Sequence, residues 1–229
     1  MTTTIFKNAI FDLDGTLVDT LDAHVLSWRE ACIRFGIRDV TRDELISLFG
    51  RTSPDIARGI LNARKITDEE KVMTLADLKD NLFKSKYIVK VRPLPGVHDL
   101  LTFLKNNEMR IAVVSSNPRL VILKMLEVSS IRRYVDVIVG QDDVDKGKPS
   151  PEPILKALSL LNAKPAESIV IGDSIYDIMA ARRAGVVGIG IATGVSSPAD
   201  LIKAGARFVV KDLHELLNLF TTLLSRDEA

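Results

Sequence analysis

Asp12 and Asp14 lie two residues apart, directly after the apolar run Asn8-Ala9-Ile10-Phe11. On an extended chain, residues with that spacing point to the same side, so both carboxylates can address one substrate. A carboxylate can attack phosphorus and carry the phosphoryl group as an acyl phosphate. A second carboxyl beside it can protonate the leaving oxygen and then activate water. Further polar groups follow other apolar runs. Ser115, Ser116 and Asn117 come after Ile111–Val114, and Lys148-Pro149 ends the loop after Val135–Val139. Gly172-Asp173-Ser174 follows Ile169–Ile171, with Asp177 one turn later. Mg2+ takes carboxylate and carbonyl oxygens and keeps some water, and Asp12 and Asp173 suit it. Lys148, on a loop stiffened by Pro149, offers the cation that an approaching phosphate requires, while Ser115, Ser116 and Asn117 offer donors to its oxygens.

Simpler roles exist for some of these residues. Ser174 and Asp177 are three apart, the spacing of a helix N-cap and an acidic first turn. Ser150-Pro151 likewise reads as an N-cap followed by a first helical residue. Lys146 reads as a solvated neighbour of Lys148.

The elements that must position this set follow from hydrophobic rhythm. The runs at residues 8–11, 111–114, 135–139, 169–171, 187–191 and 208–210 are short and rich in Val and Ile, as strands covered on both faces should be. Helical segments at residues 96–106, 119–128, 151–161, 175–184 and 213–224 separate most of them. Such alternation predicts an α/β fold with a Rossmann-like parallel sheet and right-handed crossovers. Ligands of open parallel sheets bind beyond the carboxyl ends of the strands, where the polar residues above fall. From Asp19 to about Arg92 the rhythm is helical without a convincing strand, as in Leu21, Val25, Trp28 and Cys32. Thr41 with Glu44 and Thr67 with Glu70 have capping-box spacing. Residues 19–92 therefore form a helical bundle inserted into a core of residues 1–18 and 93–229, with Pro93, Pro95 and Gly96 marking the return.

At this point the chain resembles the haloacid dehalogenase-like superfamily. Phe11-Asp12-Leu13-Asp14-Gly15-Thr16-Leu17-Val18-Asp19-Thr20 is similar to its first motif, Ser115 to its second, Lys148-Pro149 to its third and Gly172–Asp177 to its fourth. The inserted bundle resembles its C1-type cap, and the segment from Ala192-Thr193-Gly194 resembles the branch holding phosphoglycolate phosphatases and beta-phosphoglucomutases. The resemblance implies that Asp12 is nucleophile and Mg2+ ligand, and that Asp14 is acid/base with its main-chain carbonyl on the metal. It implies Asp173 as a metal ligand, Asp177 as support for the metal site, and Ser115 and Lys148 as holders of the phosphoryl group. True dehalogenases lack an aspartate at the position of Asp14, which argues against dehalogenation here.

Substrate choice should lie in the cap. Thr20 and His24, four residues apart, share a helical face just beyond the catalytic loop. Related sugar phosphatases and mutases have a threonine and a histidine at similar places. Arg51, in the turn Gly50-Arg51-Thr52, and Lys79 are further candidates for a distal anionic or hydroxyl group. Plainer roles are an interhelical bond for His24, solvation for Arg51 and Lys79, and cap core for Trp28. The expectation is an enzyme, a phosphatase of a small phosphorylated metabolite, with a sugar-phosphate mutase as alternative and a non-catalytic binding module as a third reading.

Composition bounds the partners. In 229 residues, 46% are hydrophobic and 27% charged, with a formal net charge of +1. Charge runs stay short, so no basic face announces nucleic acid or an anionic membrane. The N-terminus lacks a signal-peptide pattern, and the longest apolar run, around Val186 to Ala192, is too short to span a bilayer. A cytoplasmic location is expected. The one cysteine, Cys32, reads as a small core residue. Nothing in the sequence fixes an oligomeric state.

Overall fold

The computed structural model describes residues 6–224. Six strands form one parallel sheet: β1 (Asn8–Phe11), β4 (Arg110–Val114), β5 (Val137–Val139), β6 (Ser168–Gly172), β7 (Val187–Ile191) and β8 (Phe208–Val210), in the order β5-β4-β1-β6-β7-β8. The expected α/β architecture is present. β1 is fully buried, with Phe11 aligned to Val113 of β4 on one side and Ile171 of β6 on the other. Alternation sends its side chains to two different cores. Ala9 and Phe11 join Leu100 and Leu104 of α5 (Val97–Asn106), Ile122 and Met125 of α6 (Arg119–Val128) and Phe220 of α10 (Leu213–Leu224). Ile10 joins Ile154 and Leu158 of α7 (Glu152–Leu161) and Ala180 and Ala181 of α8 (Ile175–Arg183).

Between β1 and β4 the chain forms four further helices, α1 (Leu21–Arg34), α2 (Arg42–Leu48), α3 (Ser53–Asn62) and α4 (Glu69–Leu82), then a π-helical turn, Phe83–Tyr87. Thr41 caps α2, accepting from the Glu44 amide at 3.1 Å, but the Glu44 carboxylate binds Arg64 instead of reaching back. The start of α4 differs from the sequence expectation. Asp68, not Thr67, is the cap, accepting from the amides of Glu70 and Lys71. A carboxylate in extended backbone accepts both amides, so it displaces the hydroxyl one residue earlier.

Three elements were not anticipated. β2 (Val18–Asp19) and β3 (Arg92–Pro93) pair antiparallel where the chain enters and leaves the helical segment, each too short to have an alternation signature. α9 (Pro198–Ala204) follows Ser197, whose side chain accepts from the Asp200 amide. Cys32 is buried, and burial pushes its thiol up to about 12, so no thiolate is available as a nucleophile. No helix among the described residues is long and apolar enough to cross a membrane.

Phe11 anchors the strand that ends at Asp12 and is fully buried. Phe11→Ala should cost about 3–5 kcal/mol of stability, read from urea unfolding, and a loss below about 1 kcal/mol would contradict its place in the central core.

Candidate active site

β1 lies between β4 and β6, so the loops leaving these three adjacent strands converge. They bring Asp12 and Asp14, then Ser115 and Asn117, then Asp173 and Asp177 to one carboxyl edge of the sheet. Asp12, Asp173 and Asp177 each offer an oxygen, all within 4.8 Å of one another, and all three residues are buried. Lys148 sits among them, with Nζ 2.5 Å from Asp12 Oδ1 and 2.5 Å from Asp177 Oδ1. Were all three carboxylates ionised, one ammonium would leave two negative charges uncompensated, which an oxygen-seeking divalent cation would balance. The donor set fits such an ion.

The electrostatics follow from this crowding. Burial, together with Asp177, Asp173 and Asp14, raises the Asp12 carboxyl well above its ordinary range against the pull of Lys148. Burial and the neighbouring Asp177 lift Asp173 to about 7. Burial disfavours the charge on Lys148, but Asp12 and Asp177 outweigh it and keep the ammonium protonated. Asp173 is further held by Thr16 Oγ1 at 3.2 Å and by the Val195 amide at 3.2 Å.

Asp177 takes the capping role, and its other oxygen faces the carboxylate cluster. Its Oδ2 accepts from the Ser174 amide at 3.1 Å in a capping box, while its Oδ1 takes Lys148. Lys146 is exposed, as expected.

Asp14 stands apart from the triad. Its Oδ1 receives Thr20 Oγ1 at 2.8 Å and His24 Nε2 at 2.8 Å, and its Oδ2 receives Asn117 Nδ2 at 2.6 Å and Ser115 Oγ at 3.2 Å. Burial opposes its charge, but His24, Thr20 and the more distant Lys79 overcome this and hold it at about 2. Burial and Lys79 lower the affinity of His24 for a second proton against the pull of Asp14. The His24 ring stacks on Phe83, with centroids 4.3 Å apart, and meets Phe49 edge-on at 6.0 Å.

A cavity of about 280 Å3 opens from the carboxylates toward the helical segment. His24, Trp28, Phe49, Ile56 and Leu94 line it, with Arg51 and Lys79. Trp28 is wholly buried, so it serves as cap core and chamber wall together. Lys79 is not a solvated surface lysine. It is 2% exposed, bonded to Asp80 and Ser53, with its ammonium 5.4 Å from the Trp28 ring and 5.2 Å from the Phe83 ring. Nor is Arg51 solvated; it is half-buried against Tyr176. Ser116 lines the cavity and donates to the Gly50 carbonyl at 3.3 Å. Sequence reasoning assigned no role to Thr16, Val195, Phe83 or Tyr176. Thr16 stands four residues after Asp12 and was within reach of the motif, whereas Phe83 meets His24 across 59 residues with no local signal.

A family model described as haloacid dehalogenase-like hydrolase matches residues 9–191. The chain belongs to that family. A candidate pyrophosphatase, PpaX, of Caldanaerobacter subterraneus subsp. tengcongensis is 31% identical over 213 residues, covering 92% of each chain. A hydrolase from Pseudomonas syringae superposes with a TM-score of 0.86 at 28% identity, over 94% of this chain and 98% of that one. A candidate beta-phosphoglucomutase from Bacteroides vulgatus gives 0.85 at 27% identity, over 98% and 91%. This haloacid dehalogenase-like hydrolase is thus a phosphoric monoester hydrolase whose carboxylate cluster can coordinate a divalent metal.

Gly194 passes so close to the site that a Cβ there would stand 1.6 Å from Asp173 Oδ2. Gly194→Ala must therefore push Asp173 out of place. The metal concentration needed for half-maximal activity should rise about 10- to 100-fold with the circular dichroism spectrum unchanged. An unchanged metal titration would show that Asp173 does not serve the ion.

Proposed function

We propose that this enzyme hydrolyses a small phosphate monoester of an organic alcohol, using Mg2+ and an aspartyl-phosphate intermediate on Asp12. The observation that carries this reading is the pairing of Asp12 with Lys148 at 2.5 Å beside an independently held Asp14. Asp12, Asp173 and Asp177, with the main-chain carbonyl of Asp14 implied by the family resemblance, are the groups that would hold Mg2+. When bound, the ion offsets the charge of the phosphoryl oxygens.

Asp12 supplies the oxygen that attacks phosphorus, forming a new P–O bond as the ester P–O bond breaks. Asp14, once protonated, gives that proton to the departing alkoxide. As a carboxylate again it takes a proton from water, whose oxygen attacks phosphorus and frees Asp12 and inorganic phosphate. Lys148 stays charged beside Asp12 and faces the phosphoryl oxygens throughout. Ser115 and Asn117, which bond Asp14 here, are the donors that phosphate oxygens would recruit. Their departure would leave Asp14 with Thr20 and His24, less firmly held as an anion.

Carbon surface from Trp28, Phe49, Ile56 and Leu94 beyond the carboxylates favours a substrate with an organic portion over inorganic pyrophosphate, which is polar throughout. We assign selection of that portion to Thr20, His24, Arg51 and Lys79, which line the cavity. A second reading, a sugar-phosphate mutase, draws support from the 2.8 Å contact of His24 with Asp14, since a mutase must link cap closure to its acid/base.

Asp12→Asn should abolish phosphate release from 4-nitrophenyl phosphate without loss of fold, and appreciable turnover by the pure variant would remove Asp12 as nucleophile. EDTA should silence the wild type and Mg2+ restore it; full activity in chelator would refute the metal role.

Lys148→Ala should lower kcat severely and Lys146→Ala should leave it within about twofold, and the reverse order would mean that Lys146 is the phosphate's cation. Phosphate release should be measured from a panel of sugar phosphates, small phospho-acids and pyrophosphate. Beta-glucose 1-phosphate with a trace of the 1,6-bisphosphate completes the set. Pyrophosphate as the preferred substrate would overturn the organic-ester assignment, and glucose 6-phosphate outrunning free phosphate would establish the mutase.

A further inference from the structure

The turn Gly50-Arg51-Thr52 between α2 and α3 is seated on three separate core loops. Ser116, after β4, donates to the Gly50 carbonyl at 3.3 Å. A Cβ on Gly147, next to Lys148, would stand 2.9 Å from the Thr52 methyl. Gly50 itself has φ +88, and a Cβ there would stand 3.0 Å from the Tyr176 ring and 3.2 Å from the Ser174 side chain. The left-handed backbone and the close approach both require glycine. The turn is therefore fitted to the core, with α8 as its main support.

Arg51 is the charged member of this turn. Its Nε donates to the Tyr176 hydroxyl at 2.9 Å, and its guanidinium carbon lies 5.4 Å from the centre of the same ring. Tyr176 thus holds the guanidinium in two ways, by a hydrogen bond and by a cation–π contact. Four other cap arginines, Arg34, Arg42, Arg58 and Arg64, each meet a carboxylate, whereas Arg29, Arg38 and Arg92 meet none among the described residues but do not line the cavity. Arg51 forms no ion pair among the described residues, and it lines the cavity above Asp12. A half-buried guanidinium with its terminal nitrogens uncommitted and its Nε tethered is pre-organised to receive a planar or tetrahedral anion.

We propose that Tyr176 is a positioning residue that fixes Arg51 at the chamber rim. The site thereby prefers esters carrying a second anionic group outside the transferred phosphoryl. The inference rests on the reading of the cavity as the substrate site, and it adds a core residue that sets selectivity through the cap. Tyr176 lies between Ser174 and Asp177 on the first turn of α8. The helix that supports Lys148 through Asp177 therefore also supports the cap's cation.

The test uses Tyr176→Phe, Arg51→Gln and the double variant in the full chain with Mg2+. Each is made in the Asp12→Asn background so that binding is read without turnover. Calorimetry gives dissociation constants for inorganic phosphate, 2-phosphoglycolate and 3-phosphoglycerate, the last two presenting a carboxylate at two distances from the phosphate.

The parent should bind at least one of the two esters more tightly than phosphate. Tyr176→Phe should shrink that preference about 3- to 10-fold, the cost of a lost hydrogen bond to a charged group, and leave phosphate binding nearly unchanged. In the Arg51→Gln background the Tyr176→Phe change should have no further effect. Hydrogen exchange at amides 49–53 should rise in Tyr176→Phe, independently of any activity.

A parent without preference for either ester, a Tyr176→Phe preference equal to the parent's, or additive losses in the double variant would each overturn the proposal. So would unchanged exchange at 49–53. Failure of the wild type to release phosphate from any ester would instead refute the hydrolase reading while leaving these binding and exchange results to be judged by themselves.

Discussion

Three carboxylates cannot be held within 4.8 Å of one another out of water without positive charge in the same space. At an effective dielectric constant of about 20, two like charges about 4 Å apart repel by about 4 kcal/mol, before the cost of removing each from solvent. Lys148 relieves part of this by lying between Asp12 and Asp177. The remainder is what a bound cation would offset. The rest of the core serves to keep these groups together. A central buried strand delivers Asp12, its neighbour β6 delivers Asp173, and a capping box locks Asp177 at the start of α8. Without the sheet order β4-β1-β6 the charges would be unable to meet.

Asp14 shows a different solution to the same problem. It is half-buried yet firmly ionised, because four donors converge on its two oxygens. Two of them, Thr20 and His24, come from the start of the helical segment, and two, Ser115 and Asn117, come from the core loop after β4. A carboxylate shared in this way senses both sides of the chamber at once. Phe83, presented by a π-helical turn, backs the imidazole and leaves Nε2 facing Asp14. Lys79, with Asp80 and Ser53, closes the far wall with a charge that is already partly satisfied.

Much of this was legible in the sequence. Every strand of the parallel sheet coincides with a short apolar run; the central strands are buried on both faces, whereas the edge strand β8 leaves Phe208 exposed. Residues after those runs gave the carboxylates and Lys148, since strand ends and loops are adjacent in sequence as well as in space. What could not be read was contact between distant segments. Lys79 and Arg51 look like ordinary solvated residues until Trp28 and Phe83 enclose the first and Tyr176 receives the second. The β2–β3 pair is two residues long on each side and depends on partners 73 and 75 residues apart. α9 was legible in principle. Ser197-Pro198 followed by Asp200 is an N-cap, a first-turn proline and an acidic third residue, passed over amid small and polar neighbours.

The β2–β3 ribbon has a bearing on how readily such a protein can be rebuilt. Val18 faces Pro93 and Asp19 faces Arg92, so the chain leaves the sheet and comes back to it through one narrow doorway. A foreign set of helices whose ends match that doorway could be spliced in without moving β1, β4 or β6. The sheet can in that sense be kept as a fixed frame while the helices between β2 and β3 are exchanged. The loops that meet the turn at Gly50 are the parts of the core that would have to be refitted to each new insert.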